Sequence, residues 1–283
     1  MTTYIAAYDT ERDSCIAGVR RIVEVHEKYE MPATFFIVAE LLDEQGNEYR
    51  RLIGDNPLFE VASHTYTHML MREHRLCGSP GPKEKYQREI VGSKKRIEDC
   101  FGCKVVGFRI PVGFSDGLRG APDLLHLCQE AGYEYSSSQL WGPKETMPAL
   151  IEEPFNYAEQ GYSGIWEVPA CGWHENLLKG NNQWDPQPLQ LFPHPMPEAA
   201  ATRFVKTPQE EFEMHRCFID KAADRGAGHV SLIWHPWSLH RFDPEMKMLE
   251  LMFKNVGGRS MAACTFAKYV KTLNCARTGE DTL

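Results

Sequence analysis

The feature that most constrains the fold is the regular alternation of apolar, strand-like runs with helix-like stretches along the 283 residues. Runs such as 33–38 are apolar throughout, which is typical of strands that are covered on both faces of a parallel sheet. About seven such units predict an α/β fold, a distorted (β/α) barrel of about seven parallel strands with outer helices. A chain of this length fits one barrel, so we predict a single domain over 1–283.

One segment breaks this alternation. Residues from about 170 to 206 are rich in Pro, Gln, Asn and Trp and show little periodicity. A long irregular stretch inside a compact domain is usually functional or disordered. We interpret it as a cap insertion over the mouth of the barrel. Trp173 and Trp184 are expected to be its hydrophobic anchors, and the alternative is that they are platforms on which a sugar stacks. The elements predicted outside it are strands at 4–8, 33–38, 58–62, 105–109, 133–136, 164–169 and 229–235, and helices at about 15–29, 41–53, 83–100, 121–131, 209–225 and 244–254. The charges of the 83–100 helix predict an exposed outer face.

The composition excludes several classes of function. A net charge of −8 argues against a general role in binding nucleic acid or anionic membranes. The N-terminus lacks the pattern of a signal peptide, and no apolar stretch has the length of a membrane span. A cytoplasmic location is therefore expected, and the nine scattered cysteines are expected to be reduced thiols. The partner expected is a small-molecule or carbohydrate substrate, and a homo-oligomer is left open.

The most informative pair of residues is His64 and His68, which directly follow the predicted strand at 58–62. Histidines at i and i+4 on one helical turn point the same way, so both imidazoles can bind one metal ion. By itself this pair is weak evidence, because such a spacing also arises by chance.

Other polar residues follow the remaining strands, where a parallel barrel forms its active-site mouth. Asp9 and Glu11 follow the first strand, Arg109 ends the fourth, and His235 ends the last. Together with the histidine pair they offer one carboxylate and two imidazoles as ligands for a metal. They also offer a second carboxylate as a base, a guanidinium to hold that carboxylate, and a separate histidine as an acid. Three protein ligands with an open position describe a catalytic rather than a structural metal site.

These motifs, in this order, resemble those of the polysaccharide deacetylase family. The resemblance rests on Asp9-Thr10-Glu11, on His64-Thr65-Tyr66-Thr67-His68, on Arg109-Ile110-Pro111-Val112-Gly113 and on Leu232-Ile233-Trp234-His235. It covers roughly the whole chain except the cap insertion.

The resemblance implies a role for each residue. Glu11, His64 and His68 would bind the metal, while Asp9 would be the general base and Arg109 would keep it ionised. His235 would protonate the leaving amine, and the backbone N–H near Val112 would help to stabilise the oxyanion. Asp13 remains an alternative participant in the first motif. The partner of His235 is open between Glu167 and Glu175.

The implied activity is hydrolysis of a carbon–nitrogen bond that is not a peptide bond. Two imidazoles and a carboxylate suit Zn²⁺, and Co²⁺, Ni²⁺, Mn²⁺ or Fe²⁺ also fit. The substrate expected is an N-acylated amino sugar that loses an acetyl or similar acyl group. The alternatives are a cyclic amide or imide, as in allantoinase-like relatives, and a catalytically silent barrel that binds a sugar.

Overall fold

The structure of the protein, a computed structural model, describes residues 1–180, 185–191 and 193–278. Nine strands in this part of the chain form one sheet. In chain order they are β1 (Thr3–Thr10), β2 (Ala33–Ile37), β3 (Phe59–Ser63), β4 (Gly107–Phe108), β5 (Tyr135–Ser136), β6 (Phe155–Tyr157), β7 (Tyr162–Glu167), β8 (His229–Ser231) and β9 (Ala262–Ala263).

The sheet runs in the order β6-β7-β5-β4-β3-β2-β1-β8, with β9 beside the first half of β1. All neighbours pair in parallel except β6 and β7. Beyond β7, the N–H of Cys171 donates to the carbonyl of Ser231, and His174 bridges Ile233 in parallel. These contacts join the two ends of the parallel sheet. The predicted α/β barrel of about seven parallel strands is thus confirmed, while the antiparallel strand β6 was not predicted.

Helices cover the sheet, and most of the predicted ones are present within one to four residues of their expected bounds. The predicted 83–100 helix differs most, because its α-helical part begins only at Ser93, and three helices were missed, one of them directly after His235. The helices are α1 (Cys15–Lys28), α2 (Leu41–Tyr49), α3 (Ser93–Phe101), α4 (Pro122–Ala131), α5 (Glu175–Leu178), α6 (Pro208–Arg225), α7 (Pro236–Phe242), α8 (Lys247–Gly258) and α9 (Phe266–Thr278). Wider turns extend α2 over 50–54 and precede α3 over 88–92.

Strand β1 shows why its last residues reach the site. Its side chains alternate between two buried clusters, with Tyr4 and Tyr8 in the larger one and Ile5 in the smaller one, which also contains Phe266 of α9. Successive side chains of a strand point to opposite faces. Asp9 therefore lies on the same face as Ile5, at the C-terminal end of the strand.

The predicted cap insertion contains α5 and two single turns of 3₁₀ helix, at Gln187–Leu189 and Pro197–Ala199. Trp173 is buried and its indole N–H donates to the carbonyl of Ala199, 2.9 Å away, so it packs as the expected anchor. Trp184 lies outside the described residues. In the described part of the chain, no helix combines the length and the apolar composition that crossing a bilayer requires.

Gly18 sets the distance between α1 and α7, and α7 begins directly after His235. A Cβ at Gly18 would lie 2.2 Å from the carbonyl oxygen of Pro236, closer than packed atoms tolerate. We expect Gly18→Ala to lower the free energy of unfolding by about 1–3 kcal/mol, because overpacking forces the helices apart. Gly257→Ala is the control, since its Cβ would meet nothing within 4 Å in α8; helix propensity predicts up to about 1 kcal/mol of stabilisation. Urea denaturation measures both changes, and equal effects would contradict this packing constraint.

Candidate metal centre

The C-terminal ends of β1 and β3 bring three potential metal ligands together. One ligand atom from each of Glu11, His64 and His68 lies within 4.8 Å of the others. The rings of His64 and His68 are 4.9 Å apart between centroids, and Nε2 of His68 lies 2.9 Å from Oε2 of Glu11. The structure thus assembles the three residues that the sequence nominated as ligands.

The two histidines do not converge in the way that their spacing suggested. We expected them on one helical turn, but residues 64–68 form an irregular loop. Thr65 and His68 both have left-handed backbone conformations, with φ of 67° and 61°. The hydroxyl oxygen of Thr65 accepts a hydrogen bond from the N–H of His68 at 3.1 Å. The helical interpretation was therefore wrong, and a tight turn closed by Thr65 brings the imidazoles together instead.

A buried carboxylate, Glu89, holds this loop. Its oxygens accept hydrogen bonds from the N–H groups of Tyr66 and Thr67, at 3.0 and 2.8 Å, and from the hydroxyl of Thr67 at 2.7 Å. Sequence analysis missed Glu89, because the predicted 83–100 helix was expected to direct its charges outward. Glu89 is 1% exposed. No local pattern distinguishes it from the exposed carboxylates of the same stretch.

The ligand atoms have hydrogen-bond partners that suit a cation. Nδ1 of His64 donates to the carbonyl oxygen of Arg109 at 2.9 Å, which leaves Nε2 with its lone pair. Burial lowers the pKa of His64 to about 4, so its ring is neutral at pH 7. Oε1 of Glu11 accepts from the indole N–H of Trp237 at 2.9 Å. Burial acts to raise the pKa of Glu11, but His68 and the other nearby histidines hold it well below its usual value.

This donor set fits a divalent transition metal. Two imidazole nitrogens and one carboxylate oxygen are a common ligand set for such ions, and partners of the kind described above orient such ligands in metal sites. Glu11, His64 and His68 would hold the ion. Asp13 borders a neighbouring acidic depression instead and is not part of the three-residue cluster.

Asp9 lies beside this cluster and is bound to Arg109. Nη1 of Arg109 donates to Oδ1 of Asp9 at 2.7 Å, while Nε and Nη2 donate to the carbonyl and hydroxyl of Ser137. The guanidinium also lies 4.1 Å from the ring centroid of Phe36. Burial acts to raise the pKa of Asp9, but the charge of Arg109 and the nearby histidines keep it below its usual value. Asp9 is therefore an ionised carboxylate at neutral pH, as a base must be.

The partner of His235 is Glu175. Oε1 of Glu175 accepts from both Nδ1 and the backbone N–H of His235, each at 2.9 Å. The other candidate, Glu167, accepts instead from the N–H groups of Ser138 and Gln139. The long cap insertion thus supplies the acidic partner of the histidine.

The six nominated residues do not all face the same space. Five of them line one cavity of about 220 Å³ with His174, Trp141 and Val112, whereas Arg109 lies behind Asp9. The five are Asp9, Glu11, His64, His68 and His235. A candidate metal cluster, a carboxylate and a histidine therefore border one volume.

Residues 12–136 match the family model described as polysaccharide deacetylase. This segment includes His64, His68 and Arg109, and the geometry above places them with Asp9, Glu11 and His235 from outside it. Over this segment the chain resembles the polysaccharide deacetylase family. None of the curated proteins that were compared matches the chain in sequence.

Several solved structures share the fold of this chain at low sequence identity. A Mycobacterium smegmatis protein provisionally described as a polysaccharide deacetylase is 16% identical, with a TM-score of 0.66 over 100% of this chain and 94% of that one. PuuE allantoinase is 13% identical, with a TM-score of 0.63 over 99% and 91%. A CE4 family pseudoenzyme from Bacillus anthracis is 11% identical, with a TM-score of 0.55 over 95% and 66%. At these identities the likeness shows the fold alone.

The role of Glu89 in holding the 64–68 loop is testable by metal affinity. We expect Glu89→Gln to weaken binding of Zn²⁺ about 10–100-fold, because the amide cannot accept all three hydrogen bonds that fix the 64–68 loop. Chelator competition on purified protein measures the change. Glu84→Gln, an exposed carboxylate on the same stretch, is the matched control and should bind Zn²⁺ like the wild type. Unchanged affinity in folded Glu89→Gln would show that the loop holds its shape without the carboxylate.

Proposed function

We propose that this protein is a metal-dependent hydrolase that removes an acetyl or similar acyl group from an N-acylated amino sugar. The observation that carries the proposal is the single cavity bordered by the Glu11, His64 and His68 cluster, by Asp9 and by His235. Amide hydrolysis needs an electrophile for the carbonyl oxygen, a base for water and an acid for the leaving nitrogen. These three functions match the groups around this cavity.

The side chains divide the proton transfers between them. When bound, a divalent metal supplies Lewis acidity at the carbonyl oxygen and lowers the pKa of water. Asp9 takes a proton from the attacking water, and its ion pair with Arg109 fixes the carboxylate for that step. His235 donates a proton from Nε2 to the leaving nitrogen, since Nδ1 is engaged with Glu175.

Val112 supports the oxyanion. It borders the cavity in a left-handed conformation, with φ of 68°, which is strained for a β-branched residue. Its carbonyl oxygen accepts from the indole N–H of Trp141 at 2.7 Å, which fixes the peptide that follows it. We assign to the backbone N–H of Val112 the hydrogen bond that stabilises the tetrahedral oxyanion.

The size of the cavity favours a small substrate. A volume of about 220 Å³ receives an acyl group and the atoms next to it, but not a long segment of polymer. An adjoining acidic depression of about 540 Å³ shares Glu11 and Arg12 with it and is also bordered by Asp13, Glu40 and Asp43. This depression offers room for a sugar, and its negative charge favours an amine product.

A cyclic amide is the second candidate. Trp141 and His174 form an aromatic wall of the cavity, with ring centroids 5.1 Å apart. Burial lowers the pKa of His174 to about 3, so this wall is uncharged at neutral pH. A flat, uncharged ring such as an imide or a hydantoin could stack on it.

Asp9→Asn tests the hydrolase directly. The amide cannot accept a proton from water, so we expect kcat to fall by about 10²–10⁴-fold while zinc content stays at the wild-type level. Acetate release from a panel of N-acetylated amino sugars measures the activity, and elemental analysis measures zinc. Ring opening of imides without acetate release would favour the second candidate. Absence of turnover on both panels by zinc-loaded wild-type protein would favour a silent binding role.

The pH dependence tests the acid. Burial acts to lower the pKa of His235, but Glu11, Glu175 and Asp9 together raise it to about 9, so the ring is protonated at neutral pH. We expect kcat to fall as the pH rises through this pKa; a bound cation would lower the pKa and move the fall below pH 9. Glu175→Gln should move the alkaline limb to still lower pH, because it removes a negative charge from Nδ1. An alkaline limb at the same pH in both proteins would argue against His235 as the acid.

A further inference from the structure

The histidine assigned as the acid belongs to a chain of buried charges that continues beyond Glu175. Oε1 of Glu175 faces His235, while Oε2 accepts from the hydroxyl of Ser238 and from Nζ of Lys179, both at 2.8 Å. The Glu175 side chain is fully buried. One carboxylate therefore binds the acid on one side and an ammonium group on the other.

Lys179 lies between two carboxylates. Its Nζ is 2.8 Å from Oε2 of Glu175 and 2.8 Å from Oε1 of Glu211, and all three side chains are fully buried. The ring centroid of Phe242 lies 5.3 Å from the same Nζ. Burial acts to lower the pKa of Lys179, but the two carboxylates raise it above its usual value, so the ammonium stays charged. A buried ammonium persists only where such partners compensate for its lost hydration.

Glu211 connects the chain to α6. Apart from its ion pair with Lys179, the Glu211 carboxylate has no partner among the described residues. Burial, offset in part by Lys179, raises the pKa of Glu211 to about 7. A buried carboxylate with a single ionic partner is costly for stability. Because Glu211 is costly in this position, its presence favours a function for it rather than a contribution to stability.

We propose that Lys179 and Glu211 are positioning residues for His235. Lys179 fixes the carboxylate of Glu175 in the orientation that receives Nδ1–H of His235, and Glu211 holds Lys179 in place. This inference rests on the proposed function, since it gives the acid His235 its orientation. It also gives the cap insertion a catalytic task, because α5 and Lys179 lie within it.

The alternative is that Lys179 only fastens α5 to α6. Other charged or titratable groups near His235 include Asp9 of β1, Glu11 directly after it and His174 of the cap. A variant that leaves these three unchanged and removes Lys179 and Glu211 together separates the two explanations, because it removes one basic and one acidic group and leaves Glu175 in place.

The experiment uses the zinc-loaded full-length protein and the double variant Lys179→Met/Glu211→Met. Replacing a buried ion pair by apolar side chains is often neutral or stabilising, so this variant is expected to fold. The matched control is Lys104→Met/Glu134→Met, which removes an ion pair with Nζ and Oε1 2.7 Å apart. Both residues precede their strands, β4 and β5, and so lie at the strand ends that face away from the cavity. Circular dichroism verifies folding in each protein.

Two readouts are measured on each protein. The first is the downfield ¹H NMR signal of Nδ1–H of His235, identified by its loss in His235→Asn. The second is the steady-state rate of acetate release from an N-acetylated amino sugar. We expect the double variant to lose the NMR signal to exchange or to move it upfield, with kcat reduced about tenfold and KM within about twofold. The control should match the wild type in both.

An unchanged signal together with an unchanged kcat in the folded double variant would overturn the proposal and leave Lys179 as a fastener. If the double variant does not fold, Glu211→Gln, which keeps the shape of the side chain, replaces it. A smaller upfield shift with a two- to fivefold lower kcat is then expected, roughly, and no change in either readout would overturn the proposal. A wild-type protein without turnover would sink the proposed function alone, since the NMR signal reports the orientation of His235 independently.

Discussion

The ion pair between Arg109 and Asp9 is the interaction on which the site depends. A fully buried guanidinium is tolerated only when its donors are satisfied, and here Asp9 and both oxygens of Ser137 accept from it. The carbonyl oxygen of the same residue accepts from His64. One arginine thereby fixes the assigned base through its side chain and one assigned ligand through its backbone. Replacing its side chain would leave the buried Asp9 carboxylate without its cation.

Strained backbone in the site is held by neighbouring groups. Thr65, His68 and Val112 all adopt left-handed conformations, which cost energy for residues with a Cβ. Glu89 fixes the loop of the first two, and the indole of Trp141 binds the carbonyl of Val112. The rigid sheet beneath them supplies the remaining constraint. The surrounding structure thus compensates for this strain, and it fixes the orientation of His64, of His68 and of the backbone N–H of Val112.

The acid side of the cavity is built differently from the metal side. Asp9 lies at the end of β1, and Glu11 and His64 directly follow β1 and β3, whose registers are set by continuous parallel pairing. His235 instead takes its partner Glu175 from the cap segment, and α6 contributes Glu211 behind it. The base and the ligands therefore need only the barrel, while the orientation of the acid needs the cap to be folded. Changes in the cap are expected to act on proton delivery before they act on metal binding.

The sequence by itself determined the α/β class, the parallel strands and the six nominated residues, because these depend on apolar runs and on short motifs at strand ends. Only the tertiary structure decided how the residues meet. The spacing of His64 and His68 suggested a helical turn, yet Thr65 and Glu89 impose a tight loop through contacts that local periodicity does not encode. The sequence left the partner of His235 open between Glu167 and Glu175, because either glutamate was equally plausible along the chain. The choice of Glu175 followed from the packing of a non-periodic segment against α6 and α7, 60 residues away from His235 in sequence. Side chains brought together over such separations are selected by packing and charge compensation in three dimensions, which no local pattern records.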